Sequence, residues 1–213
     1  MAVTQTIQSA TTALPTTPMT RREFLYYVWG ASMALFMAEM GGALVWFALP
    51  RFKPGEFGGK FTLTLDKIPP PDATDPTEYA DGRFWLINAG DKIANDPRTP
   101  PGYKTATGVA AIYKICVHLG CLYKWVPTNN RFECPCHGSK YLLNGARLEG
   151  PARRNLDRFV LQAIDASGQV LAQTQAGDPN NDPAAGLPIV LPAGTAAIIV
   201  DTGRRIQGER NPK

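Results

Sequence analysis

All four cysteines and both histidines of this 213-residue chain fall within one window of 22 residues, from Cys116 to His137. The window opens with Cys116-Val117-His118-Leu119-Gly120-Cys121. After 12 further residues it closes on Cys134-Pro135-Cys136-His137, followed by Gly138-Ser139. A chain that spends every thiol and imidazole in one place is building a metal site, and its fold has to bring two loops together there. The order C-x-H…C-x2-H, with 15 residues between His118 and Cys134, offers mixed sulfur and nitrogen ligation. That set suits zinc, or a [2Fe–2S] cluster with two cysteines on one iron and two histidines on the other. On ligand types alone, both remain open.

C-x-H-L-G-C followed by C-P-C-H-G-S resembles the signature of the Rieske iron–sulfur family. The resemblance implies one [2Fe–2S] cluster per chain, ligated by Cys116 and His118 from the first loop and Cys134 and His137 from the second. The thiolates would hold the buried, always ferric iron, and neutral imidazoles the other. Fewer negative charges around the cluster favour its reduced state and raise its potential above that of an all-cysteine cluster. In members that serve quinol-oxidising complexes the remaining two cysteines, here Cys121 and Cys136, form a disulfide between the ligand loops. A zinc site leaves both unexplained. A structural disulfide also implies an oxidising compartment outside the cytoplasm.

The same resemblance gives roles to neighbouring residues. Ser139 and Tyr141 match hydroxyls that donate hydrogen bonds to cluster sulfurs and so raise the potential. Leu119 would be an apolar contact at the docking face, and Gly150-Pro151-Ala152 matches a loop that covers the cluster. Two positions depart from the pattern. Val117 stands where threonine is usual, and Arg153 stands where a second proline is common, which leaves the covering loop less rigid and its surface more basic.

Thr20-Arg21-Arg22-Glu23-Phe24-Leu25 matches a twin-arginine export signal ahead of an apolar stretch. Residues 24–49 form a run of 26 with one charge, Glu39. At 1.5 Å per residue a helix of that length covers about 39 Å, enough for a tilted transmembrane span. No A-x-A cleavage site follows, so an uncleaved anchor is expected. Arg21 and Arg22 before the span are balanced by Arg51, Lys53 and Lys60 after it, so flanking charge does not orient it. The export motif and the disulfide put the N-terminus in the cytoplasm. The expected organisation is a tail at 1–20, signal and anchor at 21–50, a hinge at 51–60 rich in glycine, and a domain at 61–213. Glu39 is expected to face protein rather than lipid.

The domain reads as all-β, with short β-prone runs at 61–65, 83–87, 110–115, 159–164 and 196–200, abundant Gly and Pro, and no long helical period. The resemblance makes this an antiparallel sheet domain of Rieske type with the cluster-binding subdomain, about 113–158, inserted between its strands. The proline-rich stretch 95–108 and the polar stretch 177–186 read as surface elaborations.

The function so implied is the Rieske subunit of a membrane quinol–cytochrome c oxidoreductase in a bacterial plasma membrane. Quinol would dock on His137, with His118 beside it, and give up one electron and one proton. The domain, on the outer (periplasmic) face, would pass the electron to a c-type cytochrome, with a cytochrome b-type subunit as the other partner. Such a subunit is not active alone. The 12 residues between Cys121 and Cys134 resemble the short-loop bacterial and photosynthetic members. Two alternatives are the small subunit of an arsenite oxidase-like molybdoenzyme and a zinc-stabilised anchored module. A net charge of +4 is too diffuse to imply nucleic acid, and no nucleic-acid partner is expected.

Overall fold

The computed structural model describes residues 18–49, 55 and 57–210. They fall into two units that divide in the region of Arg51 and Phe52, each with its own architecture.

The first unit is a single helix, α1 (Arg21–Ala48), long and apolar enough to cross a membrane, with mean hydropathy 1.4 in its most apolar window. Its start is written in the sequence. Thr20 is the N-cap, its side chain accepts the Glu23 N–H, and the Glu23 carboxylate accepts the Thr20 N–H at 2.9 Å. This capping box accounts for Thr20 and Glu23 but not for the arginines between them. Cations in a first helical turn oppose the helix dipole, so the helix start gains nothing from the charges of Arg21 and Arg22.

The second unit is built on antiparallel strands: β1 (Lys60–Thr64), β2 (Thr77–Tyr79), β3 (Phe84–Ala89), β4 (Gly108–Tyr113), β5 (Lys124–Val126), β6 (Arg131–Glu133), β7 (Lys140–Tyr141), β8 (Arg147–Glu149), β9 (Arg158–Ile164), β10 (Val170–Gln173) and β11 (Ala197–Ile206). A seven-stranded sheet runs β1-β11-β9-β4-β3-β2, with β10 also on β9. The strands β5-β6-β7-β8 form a separate four-stranded sheet, and all of them lie in sequence between β4 and β9. The neck of this insertion is closed by the Tyr113 N–H, which donates to the Asp157 carbonyl at 2.8 Å.

The alternation of side chains along β3 and β4 decides where the two sheets meet. Phe84, Leu86, Val109 and Ala111 point into a core with Phe61, Leu63, Phe159, Leu161, Ile198 and Val200. Trp85, Ile87, Ala110 and Ile112 point the other way, into a second core with Tyr123, Phe132, Tyr141, Leu143, Leu156, Cys116 and Cys134. Both strands are buried on both faces. That is why they read as continuous apolar runs rather than as alternating ones.

Strand positions shift slightly from the sequence reading. Arg83 has a left-handed φ of 52°, so β3 begins at Phe84, and β11 continues beyond Val200 through a bulge to Ile206. A four-residue helix, Asp91–Ala94, had no period long enough to announce it. Of the expected hinge, residues 51–54 and 56 lie outside the described residues. Its end is packed: the Phe57 ring stacks on Tyr113 at 5.8 Å, with the Arg83 guanidinium 4.8 Å above it. The Gly58 N–H donates to the Thr202 hydroxyl at 2.8 Å, and that hydroxyl donates to the Gly59 carbonyl at 2.8 Å.

The two elaborations also do more than coat the surface. The Tyr103 hydroxyl, from 95–108, donates to the Asn144 carbonyl at 2.9 Å. The buried Arg158 of β9 donates to Tyr103, to the Asn144 carbonyl at 2.8 Å, and to the Gly186 carbonyl at 2.6 Å. One guanidinium therefore ties both elaborations and the inserted subdomain to the large sheet.

Phe84 is fully buried, with Tyr79, Phe61 and Phe159 rings 4.8, 5.6 and 6.5 Å away. Phe84→Ala should cost about 3–5 kcal/mol of stability, read as a lowered melting temperature by circular dichroism.

Candidate metal centre

Two loops carry the cysteines and histidines, one between β4 and β5 and one between β6 and β7, and both close with the same turn. In the first, the Cys116 N–H donates to the Cys121 carbonyl at 2.7 Å and the Gly120 N–H to the Cys116 carbonyl at 3.0 Å. In the second, the Cys134 N–H donates to the Ser139 carbonyl at 2.9 Å and the Gly138 N–H to the Cys134 carbonyl at 3.0 Å. Gly120 and Gly138 each take a left-handed φ, 84° and 73°, at the same place in the turn. The spacing C-x3-G in both loops is the sequence trace of this duplication.

A disulfide between Cys121 and Cys136 joins the two turns, with Cα atoms 6.6 Å apart. The Sγ atoms of Cys121, Cys134 and Cys136 lie within 4.8 Å of one another. Two of the three are bonded to each other, so this trio is not a ligand set. The free donors are the thiols of Cys116 and Cys134, both buried, and the imidazoles of His118 and His137, whose ring centroids are 4.8 Å apart at 85°.

The chemistry of these four donors fits a mixed sulfur and nitrogen centre. Burial pushes the Cys134 thiol up, the Cys136 backbone N–H pulls it down, and a hydrogen bond with Cys116 raises it again. A thiol held up in this way gives up its proton when a cation takes the proton's place. The Nδ1 atom of His118 is buried and has no hydrogen-bond partner. A buried donor or acceptor left unsatisfied costs about 1–3 kcal/mol, and a metal bond would remove that penalty.

Hydroxyls surround the thiols from below. The Tyr141 oxygen lies 3.2 Å from the Cys116 sulfur. Burial, and then its bond with Cys116, push the Tyr141 phenol far above its ordinary value, while the nearby Ser139 hydroxyl pulls it partly back. The phenol thus keeps its proton and can donate. Ser139 is fully buried, and its Oγ accepts the Ala152 N–H at 3.2 Å. With a lone pair engaged there, its own proton is left for another acceptor, and the Tyr141 oxygen lies within its reach. Gly150 lies against this turn so closely that an added Cβ would sit 2.4 Å from the Ser139 Cα.

Comparison with known proteins gives the family. A model of the Rieske [2Fe-2S] domain matches residues 83–160. The cytochrome b6-f complex iron-sulfur subunit 2 of Nostoc sp. (strain PCC 7120 / SAG 25.82 / UTEX 2576) is 35% identical over 150 residues, 69% of this chain and 82% of that protein. The chain belongs to the Rieske iron–sulfur family. The cytochrome b6-f complex iron-sulfur subunit of Chlorobaculum thiosulfatiphilum is 49% identical over 139 residues, 65% of this chain and 68% of that one. Among solved structures, the plasma membrane Rieske protein PetC3 from Synechocystis PCC 6803 is 25% identical, with TM-score 0.29, covering 45% of this chain and 81% of that one.

The cofactor of this Rieske protein is accordingly a [2Fe–2S] cluster, and Cys116, His118, Cys134 and His137 are the donors that could hold it. Leu119 is 70% exposed at the tip of the first loop, and His137 is exposed at the tip of the second.

Other residues of the site were not singled out by sequence. The Tyr123 ring packs 5.9 Å from Tyr141, and its hydroxyl donates to the Tyr113 carbonyl at 2.7 Å. Asp157 is buried, pairs with Arg154 and lies 3.6 Å from Arg205. It also accepts the Gly208 N–H at 2.8 Å. A buried carboxylate one residue from Arg158 gives no local signal, because its partners come from distant parts of the chain.

Removing a disulfide of this loop size costs about 2–4 kcal/mol. Cys121→Ser should therefore lower cluster occupancy while a fraction retains a Rieske EPR signal at lowered potential. Complete loss of iron under gentle anaerobic preparation would instead make Cys121 a ligand.

Proposed function

We propose that this chain is the iron–sulfur subunit of a membrane quinol–cytochrome c oxidoreductase of the cytochrome bc/b6-f type. The observation that carries the reading is the asymmetry of the donors. Cys116 and Cys134 belong to the apolar core, while His137 and Leu119 are exposed. Ligation by Cys116, His118, Cys134 and His137 then puts the imidazole side of the cofactor within reach of a docked molecule. The names of the relatives support assembly with cytochromes in a multi-subunit complex.

When bound, the cluster supplies a one-electron acceptor. His137 presents its outer ring nitrogen to the quinol hydroxyl, accepts its hydrogen bond and then its proton. His118 lies against it, and Leu119 offers an apolar contact to the quinol ring or to the docking surface of the cytochrome b-type subunit. Tyr141 donates toward the Cys116 sulfur and Ser139 toward the cluster, and both hydroxyls favour the form with more negative charge. The electron would pass on to a c-type cytochrome, and the proton held by His137 would be released to the outer aqueous phase. The quinol's second electron would go to the cytochrome b-type subunit. Helix α1 anchors the subunit in the bacterial plasma membrane with its N-terminus inside, and the domain works on the outer face, where the disulfide is stable.

Hydrogen bonds to charged groups are worth about 1.5–3 kcal/mol, and for a one-electron couple 59 mV is a tenfold change, about 1.4 kcal/mol. Ser139→Ala should lower the midpoint potential by tens of millivolts, up to about 60–130 mV, with the cluster intact and quinol oxidation slowed. An unchanged midpoint at full occupancy in a redox titration would remove Ser139 from the tuning residues.

Arg21→Lys with Arg22→Lys should block export, leaving a cluster-loaded protein on the cytoplasmic side in a protease-protection assay. N-terminal sequencing of the native protein tests the anchor, and a start beyond residue 43 would rule it out.

A further inference from the structure

Arg147, the first residue of β8, holds both ends of the loop that passes over the metal centre. Its side-chain Nη2 donates to the Gly150 carbonyl, and its backbone N–H donates to the Asn155 side-chain carbonyl at 2.8 Å. Between those points the loop delivers the Ala152 N–H to the Ser139 hydroxyl. The two ends are not equally secured. At the far end, Arg154 pairs with the buried Asp157, and the Asn155 N–H donates to the Glu209 carbonyl at 2.9 Å, so that end is fastened to the residues just before β9 and just after β11. At the near end, the Gly150 carbonyl has the Arg147 guanidinium as its partner, and Pro151 has no N–H to offer.

Backbone stiffness does not replace that bond. Pro151 fixes one φ, but Arg153 leaves its own position free, and Gly150 sits at φ 99° against the Ser139 backbone. Release of its carbonyl would let the loop lift from Ser139, and the Ala152 N–H would move with it. Ser139 would then lose the contact that fixes which way its hydroxyl points.

We propose that Arg147 is a positioning residue: it sets the potential of the cofactor by holding the Gly150–Ala152 backbone so that Ser139 keeps its donor orientation. This inference rests on the reading of Ser139 as a donor to the cluster. It assigns the effect of Arg147 to the loop and not to the positive charge it carries.

The test is a double-mutant cycle on the membrane-anchored holoprotein, with midpoint potential and EPR-determined cluster occupancy as readouts. Arg147→Ala should lower the midpoint part of the way toward that of Ser139→Ala. Arg147→Lys, which keeps a donor within reach of the Gly150 carbonyl, should restore much of it. In a Ser139→Ala background, Arg147→Ala should produce no further fall, because groups acting through one contact are non-additive. An equal fall in both backgrounds would mean that Arg147 acts through its charge, and the proposal would be wrong. So would a fall for Ser139→Ala beside an unchanged midpoint for Arg147→Ala at full occupancy. An unchanged midpoint for Ser139→Ala itself would remove the donor reading first, and this inference with it. If Arg147→Ala loses the cluster, the same cycle run with Arg147→Gln, an uncharged donor, decides between loop and charge.

Discussion

Strands β3 and β4 are sandwiched, and the metal centre depends on that. An antiparallel pair with one wet face would have served the large sheet alone. Here Trp85, Ile87, Ala110 and Ile112 turn a second apolar face outward, and the four-stranded insertion covers it. The cysteines Cys116 and Cys134 are members of that second core, so the packing that joins the two sheets also fixes the thiols. Burial of apolar area is non-directional. The direction comes from the two matching turns, which hold Cys116 and Cys134 inward with backbone hydrogen bonds, while the disulfide joins the turns and His137 is left exposed.

That division of labour explains the polar environment. Thiolates in an apolar core need a cation and a few hydrogen-bond donors, and little else is offered. Tyr141 reaches Cys116 from its fully buried position, while Ser139, also buried, is held by the Ala152 N–H. Asp157 and Arg154 lie behind the covering loop, with the carboxylate answered by Arg154, Arg205 and the Gly208 N–H. The buried charge behind the loop is thus answered locally.

Much of the site was legible because its residues are rare and its turns are local. Four cysteines and two histidines in 22 residues admit few arrangements, and each C-x3-G turn is written in consecutive residues. The strands were legible as apolar runs, although most ends moved by one or two residues, as at the left-handed Arg83, and the last strand ran six residues further, through its bulge to Ile206. The stretches 95–108 and 177–186 were opaque for a physical reason. Their structural contribution lies in single carbonyls and a hydroxyl that meet Arg158 across 28 and 55 positions of sequence, and no composition rule anticipates such a meeting. Arg147 was hidden in the same way, since what it holds is a backbone carbonyl.

The hydrogen bond from Tyr113 to Asp157 gives the insertion a property of its own. Its first and last residues are neighbours in an ordinary antiparallel ladder, with Ala111 opposite Phe159 and Ile112 opposite Arg158. Residues 114–156 therefore enter and leave the large sheet through a doorway one hairpin wide. A short turn could join β4 to β9 there without moving either strand. Simple excision would still strip the cover from Trp85, Ile87, Ala110 and Ile112. The segment is thus joined to the scaffold like a cassette, at one point of the chain path, yet it is also the cover that one face of the scaffold needs.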